Sequence, residues 1–317
     1  MGRVVRPKFL AKTTTAERKA QRKNVILADA AITERTQERY YVALRRLLLT
    51  VEKTKHLSHL DDNISDWLER QWERGQTLSF VSDALCGLHH FEPSTKKCIP
   101  NTWKLFRTWR KLEAPNRAPP LTLDLVYVLA HYALHHDDLI FAALLLLGFF
   151  ALLRTGEILN ACPEHFILGA DEGVLSLPIT KTGVRHGAGE TIAFDDSFAL
   201  DAIREAIKLR EFQGLTRVPI WQASPQAFRN RFAFYCRKFD LLHHCFRPYS
   251  LRRGGATWTF QSTGSMERAL LKGRWNSAQV AKVYIQDGLS KIPSMTFSSK
   301  TKEMIRRWHP YQHKCRV

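Results

Sequence analysis

Between Asp138 and Arg154 the sequence runs for fifteen residues, Leu139 to Leu153, without one charged or strongly polar side chain. A bilayer span needs about 20 such residues, so this run is too short to cross a membrane. It is apolar on every face rather than along one stripe, and a helix of that kind must be enclosed by other elements. The chain therefore folds around a buried central rod. Its 317 residues, 44% of them hydrophobic, supply ample material to enclose one. At roughly 100–200 residues per domain, that length divides most naturally into two.

Lysine and arginine number 48 against 30 acidic residues, a formal charge of +18. So large an imbalance repels itself unless a polyanion neutralises it, which makes nucleic acid the leading partner and a membrane surface the second. Part of the charge is an arm. The first 23 residues carry eight bases (Arg3, Arg6, Lys8, Lys12, Arg18, Lys19, Arg22, Lys23) and one acid, Glu17, so +7 lies there and +11 in the body. Such an arm suits flexible phosphate binding or nuclear import. It has no apolar core like that of a secretory signal, and Arg6 stands where a myristoylation motif needs Ser or Thr. A nuclear or cytoplasmic protein is expected, in the nucleoid if prokaryotic, and not a secreted one. The six cysteines form no CxxC pair, which fits reduced thiols. His309, His313 and Cys315 lack a fourth partner at zinc-like spacing, so no metal is expected.

The chain ahead of the rod reads as helices. Tyr40, Leu44, Leu47, Leu48 and Val51 recur at helical spacing; so do Ile64, Trp67, Leu68 and Trp72, after a cap at Asp62 or Asn63; so do Leu78, Val81, Leu85 and Leu88. A fourth helix, Trp103 to Leu112, follows Pro100. Pro115, Pro119 and Pro120 then make a stiff linker. The expected organisation is a basic arm over 1–30, a helical domain over 31–112, the linker over 113–121 and a second domain over 122–317. That domain opens with helices near 122–136 and 138–158. Short β-prone runs follow (Phe166 to Leu168, Val174 to Ile179, Thr191 to Phe194), separated by glycine-containing turns, so a small antiparallel sheet interrupts the helices. Helices resume after the Ser224-Pro225 cap, from Leu251 and from Ser277. The fold class is thus mainly α with a small antiparallel β-sheet.

Four constellations carry chemistry. Arg154-Thr-Gly-Glu157 places a cation at the end of the rod with a carboxylate three residues on. Lys181, in Ile179-Thr-Lys-Thr-Gly183, sits at an expected hairpin tip. Arg247-Pro-Tyr249-Ser-Leu-Arg252-Arg253-Gly-Gly-Ala-Thr257 combines small residues, which allow close backbone approach, with Arg252 near a helix start. Gly273-Arg-Trp275-Asn-Ser is followed by Tyr284 nine residues beyond the tryptophan. Each is weak alone. In this order and at these separations they resemble the tyrosine recombinases, the phage-integrase-like site-specific recombinases. The first arginine box matches Arg154-Thr-Gly-Glu157, the hairpin lysine Lys181, the His-x-x-Arg box Tyr249-Ser-Leu-Arg252, the His/Trp position Trp275 and the nucleophile Tyr284. The match covers Leu121 to about Gln286; the helical unit before it is similar to the family's core-binding domain in architecture only. One departure stands out: Tyr249 occupies the usual histidine position. His244-Cys-Phe-Arg247 also reads His-x-x-Arg, but only the later box is followed by Arg253-Gly-Gly-Ala-Thr and has the right distance to Trp275.

The resemblance implies an enzyme that cleaves and rejoins double-stranded DNA through a 3′-phosphotyrosine, with no metal, ATP or other cofactor, assembled as a tetramer on paired sites. The residue types suit that chemistry. Tyr284 is the nucleophile, and a cluster of cations lowers the energy of its phenolate. Arg154 and Arg252 clamp the phosphate oxygens through planar forks that lysine cannot reproduce. Lys181 is the general acid for the leaving 5′ oxygen. Trp275 packs under the nucleophile and offers its indole N–H, Tyr249 donates a hydrogen bond, and Glu157 supports Arg154. Three other readings stay open: a catalytically inactive DNA-binding descendant of the same fold, a type IB topoisomerase-like enzyme, and a basic RNA-binding scaffold.

Overall fold

A computed structural model describes residues 14–23, 31–51, 57–113, 117–178 and 189–311. The chain divides into two compact units, Met1–Asn116 and Arg117–Val317. In the first, α1 (Thr15–Arg22) starts at a capping box in which Thr14 and Glu17 satisfy each other's backbone. Four longer helices follow: α2 (Glu34–Thr50), α3 (Leu57–Glu73), α4 (Leu78–Phe91) and α5 (Pro100–Leu112). Helix α2 packs on α4 and α3 on α5, burying Leu44, Leu47, Ile64, Trp67, Leu85 and Trp109 among others. Two expectations need correction. Leu48, read as core, is 61% exposed, and Trp72 is 41% exposed. Asp62 and Asn63 do not cap a helix, because α3 begins before them. The neighbouring Asp61 instead caps α5, accepting from the backbone N–H groups of Asn101 (2.8 Å) and Thr102 (2.9 Å) where Pro100 opens the helix.

The second unit is built around the apolar run. Helix α6 (Leu123–His135) leads into α7 (Leu139–Phe150), in which every residue from Phe141 to Phe150 is buried. The rod is shorter than the sequence suggested. It ends in a Schellman turn: Leu152 is left-handed (φ 48°), its N–H donates to the Phe149 carbonyl, and the Leu153 N–H donates to the Gly148 carbonyl. A separate short helix, α8 (Thr155–Leu159), then begins after Arg154. The expected single helix over 138–158 is therefore two, because a left-handed residue breaks it without glycine or proline.

Strands β1 (Phe166–Leu168), β2 (Gly173–Leu177) and β3 (Glu190–Phe194) form an antiparallel sheet in the order β1-β2-β3, with Leu175 opposite Ile192 and Leu177 opposite Glu190. Alternate residues Leu175, Leu177, Ile192 and Phe194 face the core. Helices α9 (Ser197–Phe212), α10 (Pro225–Lys238), α11 (Tyr249–Thr263), α12 (Met266–Gly273), α13 (Ala278–Lys282), α14 (Asp287–Thr296) and α15 (Ser299–Trp308) complete the chain. Helix α7 packs on α6, α8, α9 and α11. The Gly254-Gly255 pair permits this: a Cβ on Gly254 would lie 2.0 Å from the Leu121 carbonyl oxygen, and one on Gly255 2.0 Å from that of Phe149. No described helix is long and apolar enough to cross a membrane.

Candidate active site

The end of the rod builds the first part of the site. Arg154 precedes α8, and Glu157, in the first turn of that helix, reaches back to the Arg154 N–H (Oε2, 2.8 Å) and to its guanidinium (Oε1, 2.6 Å). The pair expected on one helical face is thus made by a helix start. Glu157 also accepts from Arg274 Nη2 at 2.8 Å and lies 3.9 Å from Arg252 Nη1. Burial opposes ionisation of Glu157, yet the Arg274 charge and hydrogen bond, with the bonds from Arg154, outweigh it and hold the carboxyl below its ordinary value.

Helix α11 supplies the second part. Arg252 is fully buried, donating to the carbonyls of Leu152 and Gly273, the latter at 2.7 Å. Burial, followed by the charges of Arg154 and Arg274, pushes its guanidinium down to about 10. That value still leaves it a cation at neutral pH. Arg253 turns elsewhere, donating to the carbonyls of Ala118 and Val283 and so bracing the segment that ends at Tyr284. Tyr249, the first residue of α11, is 39% exposed with its ring centroid 5.9 Å from that of Tyr284. Burial of its inner part, with the Tyr284 phenol beside it, raises the Tyr249 phenol well above the ordinary tyrosine value. It is a neutral group at physiological pH.

The third part is a turn and a short helix. Helix α12 closes in a Schellman turn with Arg274 left-handed (φ 55°). The Trp275 ring then folds onto Gly273, where any Cβ would sit 2.1 Å from the indole. Trp275 stacks on Tyr284 at 4.6 Å and 29°, and the Arg252 guanidinium carbon lies 5.0 Å from the Trp275 ring centre and 5.4 Å from that of Tyr284. Four buried donors in and around this cluster, the Nε of Arg252, Arg253 and Arg274 and Trp275 Nε1, have no hydrogen-bond partner among the described residues. Buried orphan donors ask for an acceptor, and oxygens of an anionic ligand are acceptors.

No protein-family model matches the sequence, and no curated protein matches it. Solved structures do. A lambda integrase dimer bound to a COC′ core site superposes with a TM-score of 0.57 at 16% identity, over 86% of this chain and 95% of that one. The Tn1549 transposon integrase in complex with transposon right end DNA gives 0.61 at 12% identity, over 88% and 96%. A lambda integrase tetramer bound to a Holliday junction gives 0.55 at 16%, over 87% and 79%. This chain has the tyrosine recombinase fold.

Of the residues singled out from the sequence for a tyrosine recombinase site, Arg154, Glu157, Tyr249, Arg252, Trp275 and Tyr284 come together. Lys181 lies outside the described residues. Sequence reasoning missed Arg274, Arg253 and Glu190. Arg274 binds Glu190 Oε2 at 3.0 Å as well as Glu157. Its one signal in the sequence is a charged residue between Gly273 and Trp275, and nothing local reveals that the two carboxylates meet there. The sequence also left His309 idle. It is 2% exposed, with Nε2 3.2 Å from Asp124 Oδ1 and Nδ1 accepting from the Tyr311 N–H, so it anchors the end of α15 to the start of α6. Its imagined zinc partners His313 and Cys315 lie outside the described residues.

Proposed function

We propose that this chain is a site-specific DNA recombinase that cleaves and rejoins double-stranded DNA through a 3′-phosphotyrosine on Tyr284, using side chains alone, and that it acts as a tetramer on paired sites. The observation that carries the reading is the Trp275–Tyr284 stack with the buried Arg252 guanidinium beside it, in one cluster with Arg154. The step balances. Tyr284 Oη attacks phosphorus and passes its proton to solvent water, the bond from phosphorus to the 5′ oxygen breaks, and that oxygen takes a proton from Lys181 and leaves as a hydroxyl. Rejoining is the reverse, so the phosphotyrosine stores the bond and no nucleotide is consumed. Arg154 and Arg252 meet the charge that grows on the non-bridging oxygens, and the orphan N–H groups of Arg252 and Trp275 are further donors beside Tyr284. Tyr249 stays neutral and donates a hydrogen bond, the part a histidine N–H would play, but serves poorly as a proton shuttle.

The experiment is covalent trapping. On nicked duplexes whose cleaved flank diffuses away, the protein should remain attached to the 3′ end through Tyr284. A type IB topoisomerase-like activity differs in relaxing supercoiled plasmid with no paired site. An RNA scaffold differs in being indifferent to Tyr284→Phe. One observation favours the inactive, DNA-binding reading: Tyr249 replaces the usual histidine, with its ring 5.9 Å from that of the nucleophile. That reading stands if the protein binds a specific duplex and forms no adduct on it.

A further inference from the structure

Tyr284 belongs to no helix. It sits in the turn between α13, which ends at Lys282, and α14, which begins at Asp287. A helix of five residues cannot hold its shape unaided, so the place of this turn is set by what it packs against. Two side chains of α11, four residues apart and therefore on one face, grip it on either side of the nucleophile. Arg253 donates through Nη2 to the Val283 carbonyl at 3.3 Å. Thr257 Oγ1 accepts from the Gln286 N–H at 3.1 Å while donating to the Arg253 carbonyl at 2.9 Å. The other prong of Arg253, Nη1, donates to the Ala118 carbonyl in the segment that enters the second unit. That segment is itself laid along α11, with the Leu121 N–H donating to the Ser250 carbonyl at 3.1 Å. Both gripping side chains are buried, and both terminal nitrogens of Arg253 end on backbone carbonyls rather than on a carboxylate.

We propose that Arg253 and Thr257 are positioning residues that hold the Tyr284 turn against α11 and so keep the phenol stacked on Trp275 beside Arg252, with Arg253 fastening the same turn to the chain that enters the second unit. The inference rests on the recombinase reading above. Arg252 and Arg253 are consecutive residues of one helix, so the phosphate clamp and the tie on the nucleophile share a rigid element. Burial and the charge of Arg117 disfavour the Arg253 cation. An apolar side chain would fill the same space without that cost, but only a planar, forked donor joins the carbonyls of two separate segments.

The test combines single-turnover cleavage of nicked duplexes with amide hydrogen exchange of the free, full-length protein. Arg253→Lys keeps the charge and loses the fork; Thr257→Val keeps the shape and loses the hydroxyl; Thr257→Ser keeps the hydroxyl. Arg253→Lys and Thr257→Val should each slow cleavage about ten- to a hundredfold, as displacement of a reacting group does, with the half-saturating DNA concentration unchanged. Thr257→Ser should stay within about threefold of wild type, because the Gln286 N–H keeps its acceptor. In the free protein, the amides of residues 283–286 should exchange about tenfold faster or more in Arg253→Lys and Thr257→Val, with those of α6 and α7 unchanged. Cleavage at the wild-type rate by Arg253→Lys or Thr257→Val overturns the inference. So does slow cleavage without faster exchange in the turn, or a defect in Thr257→Ser as large as that in Thr257→Val. If Arg253→Lys does not fold, the two Thr257 variants decide alone. If the wild type forms no adduct on any duplex, the recombinase reading falls instead, and exchange at Gln286 in the Thr257 variants still decides whether α11 holds the turn.

Discussion

At the scale of single residues, the site is organised by one carboxylate among three guanidiniums. Glu157 is the counter-ion of Arg154 and Arg274 and stands near Arg252. Replacing it by glutamine leaves buried positive charge uncompensated, and the expected loss of stability is about 3 kcal/mol or more. The pH dependence has a definite sign. Because its folded value lies below the ordinary 4.5, ionised Glu157 stabilises the protein fully above that value, and the contribution is lost as pH falls through the folded value. Urea denaturation should show a steep acid decline below about pH 4.5 in wild type that is shallower in Glu157→Gln, and no change from this group between pH 5 and 7. Tyr249 poses the other question at this scale. Tyr249→Phe should slow cleavage about ten- to a thousandfold, the range of a lost transition-state hydrogen bond, and Tyr249→His should retain measurable activity. Equal rates for Phe and Tyr in single-turnover assays would reduce the phenol to packing. Arg154, Tyr249, Arg252, Trp275 and Tyr284 could be singled out from the sequence because the order and separation of their motifs resemble those of the tyrosine recombinases. Arg274 and Glu190 could not, since an ion pair between residues 84 apart in sequence leaves no local mark.

At the scale of elements, the apolar run announced a buried helix but hid its end. Leu152 breaks the rod with the left-handed geometry that glycine usually marks, and its carbonyl is one of the two that grip Arg252. Burial therefore decides this terminus, and propensity does not. A similar gap explains the misplaced cap on α3: Asp61 looks like a residue of its own helix and acts on the start of α5, through space. The glycine pair of α11 was legible as a signal of close approach, and the approach is to the carbonyls of Leu121 and Phe149. Gly255→Ala should destabilise the second unit by about 3 kcal/mol, the upper part of the overpacking range, because a backbone oxygen rather than a flexible side chain must yield. A thermal midpoint unchanged from wild type would contradict that packing. Helix α5 carries Lys104, Arg107, Arg110 and Lys111 on its exposed side and no acid at all. Alanine at Lys104, Arg107 and Lys111 should weaken binding to all duplexes alike and flatten the salt dependence by about 0.9 for each phosphate left without its cation.

At the scale of the whole molecule, the charge of +18 favours a polyanionic partner, and the proposed function makes that partner duplex DNA. Log affinity for duplex DNA should fall linearly with log salt, with a slope of about −0.9 per neutralised phosphate, and removal of residues 1–23 should flatten the slope while leaving cleavage at saturating DNA intact. Salt-independent binding would argue against phosphate neutralisation as the source of affinity. The composition pointed to a polyanionic partner, and the order of motifs pointed to the fold, but neither could show which groups a folded chain leaves unsatisfied. Among those groups are the buried N–H donors of Arg252 and Trp275, which lie beside Tyr284. The most direct measurement is therefore the fate of that tyrosine on DNA. Wild-type protein incubated with nicked suicide duplexes, selected by adduct trapping from a random-sequence library, should yield a covalent complex whose nucleotide maps by mass spectrometry to the peptide containing Tyr284. Tyr284→Phe should yield none while binding the same duplex within a few fold. An adduct of undiminished yield in Tyr284→Phe, or one mapping to another residue, would contradict the account.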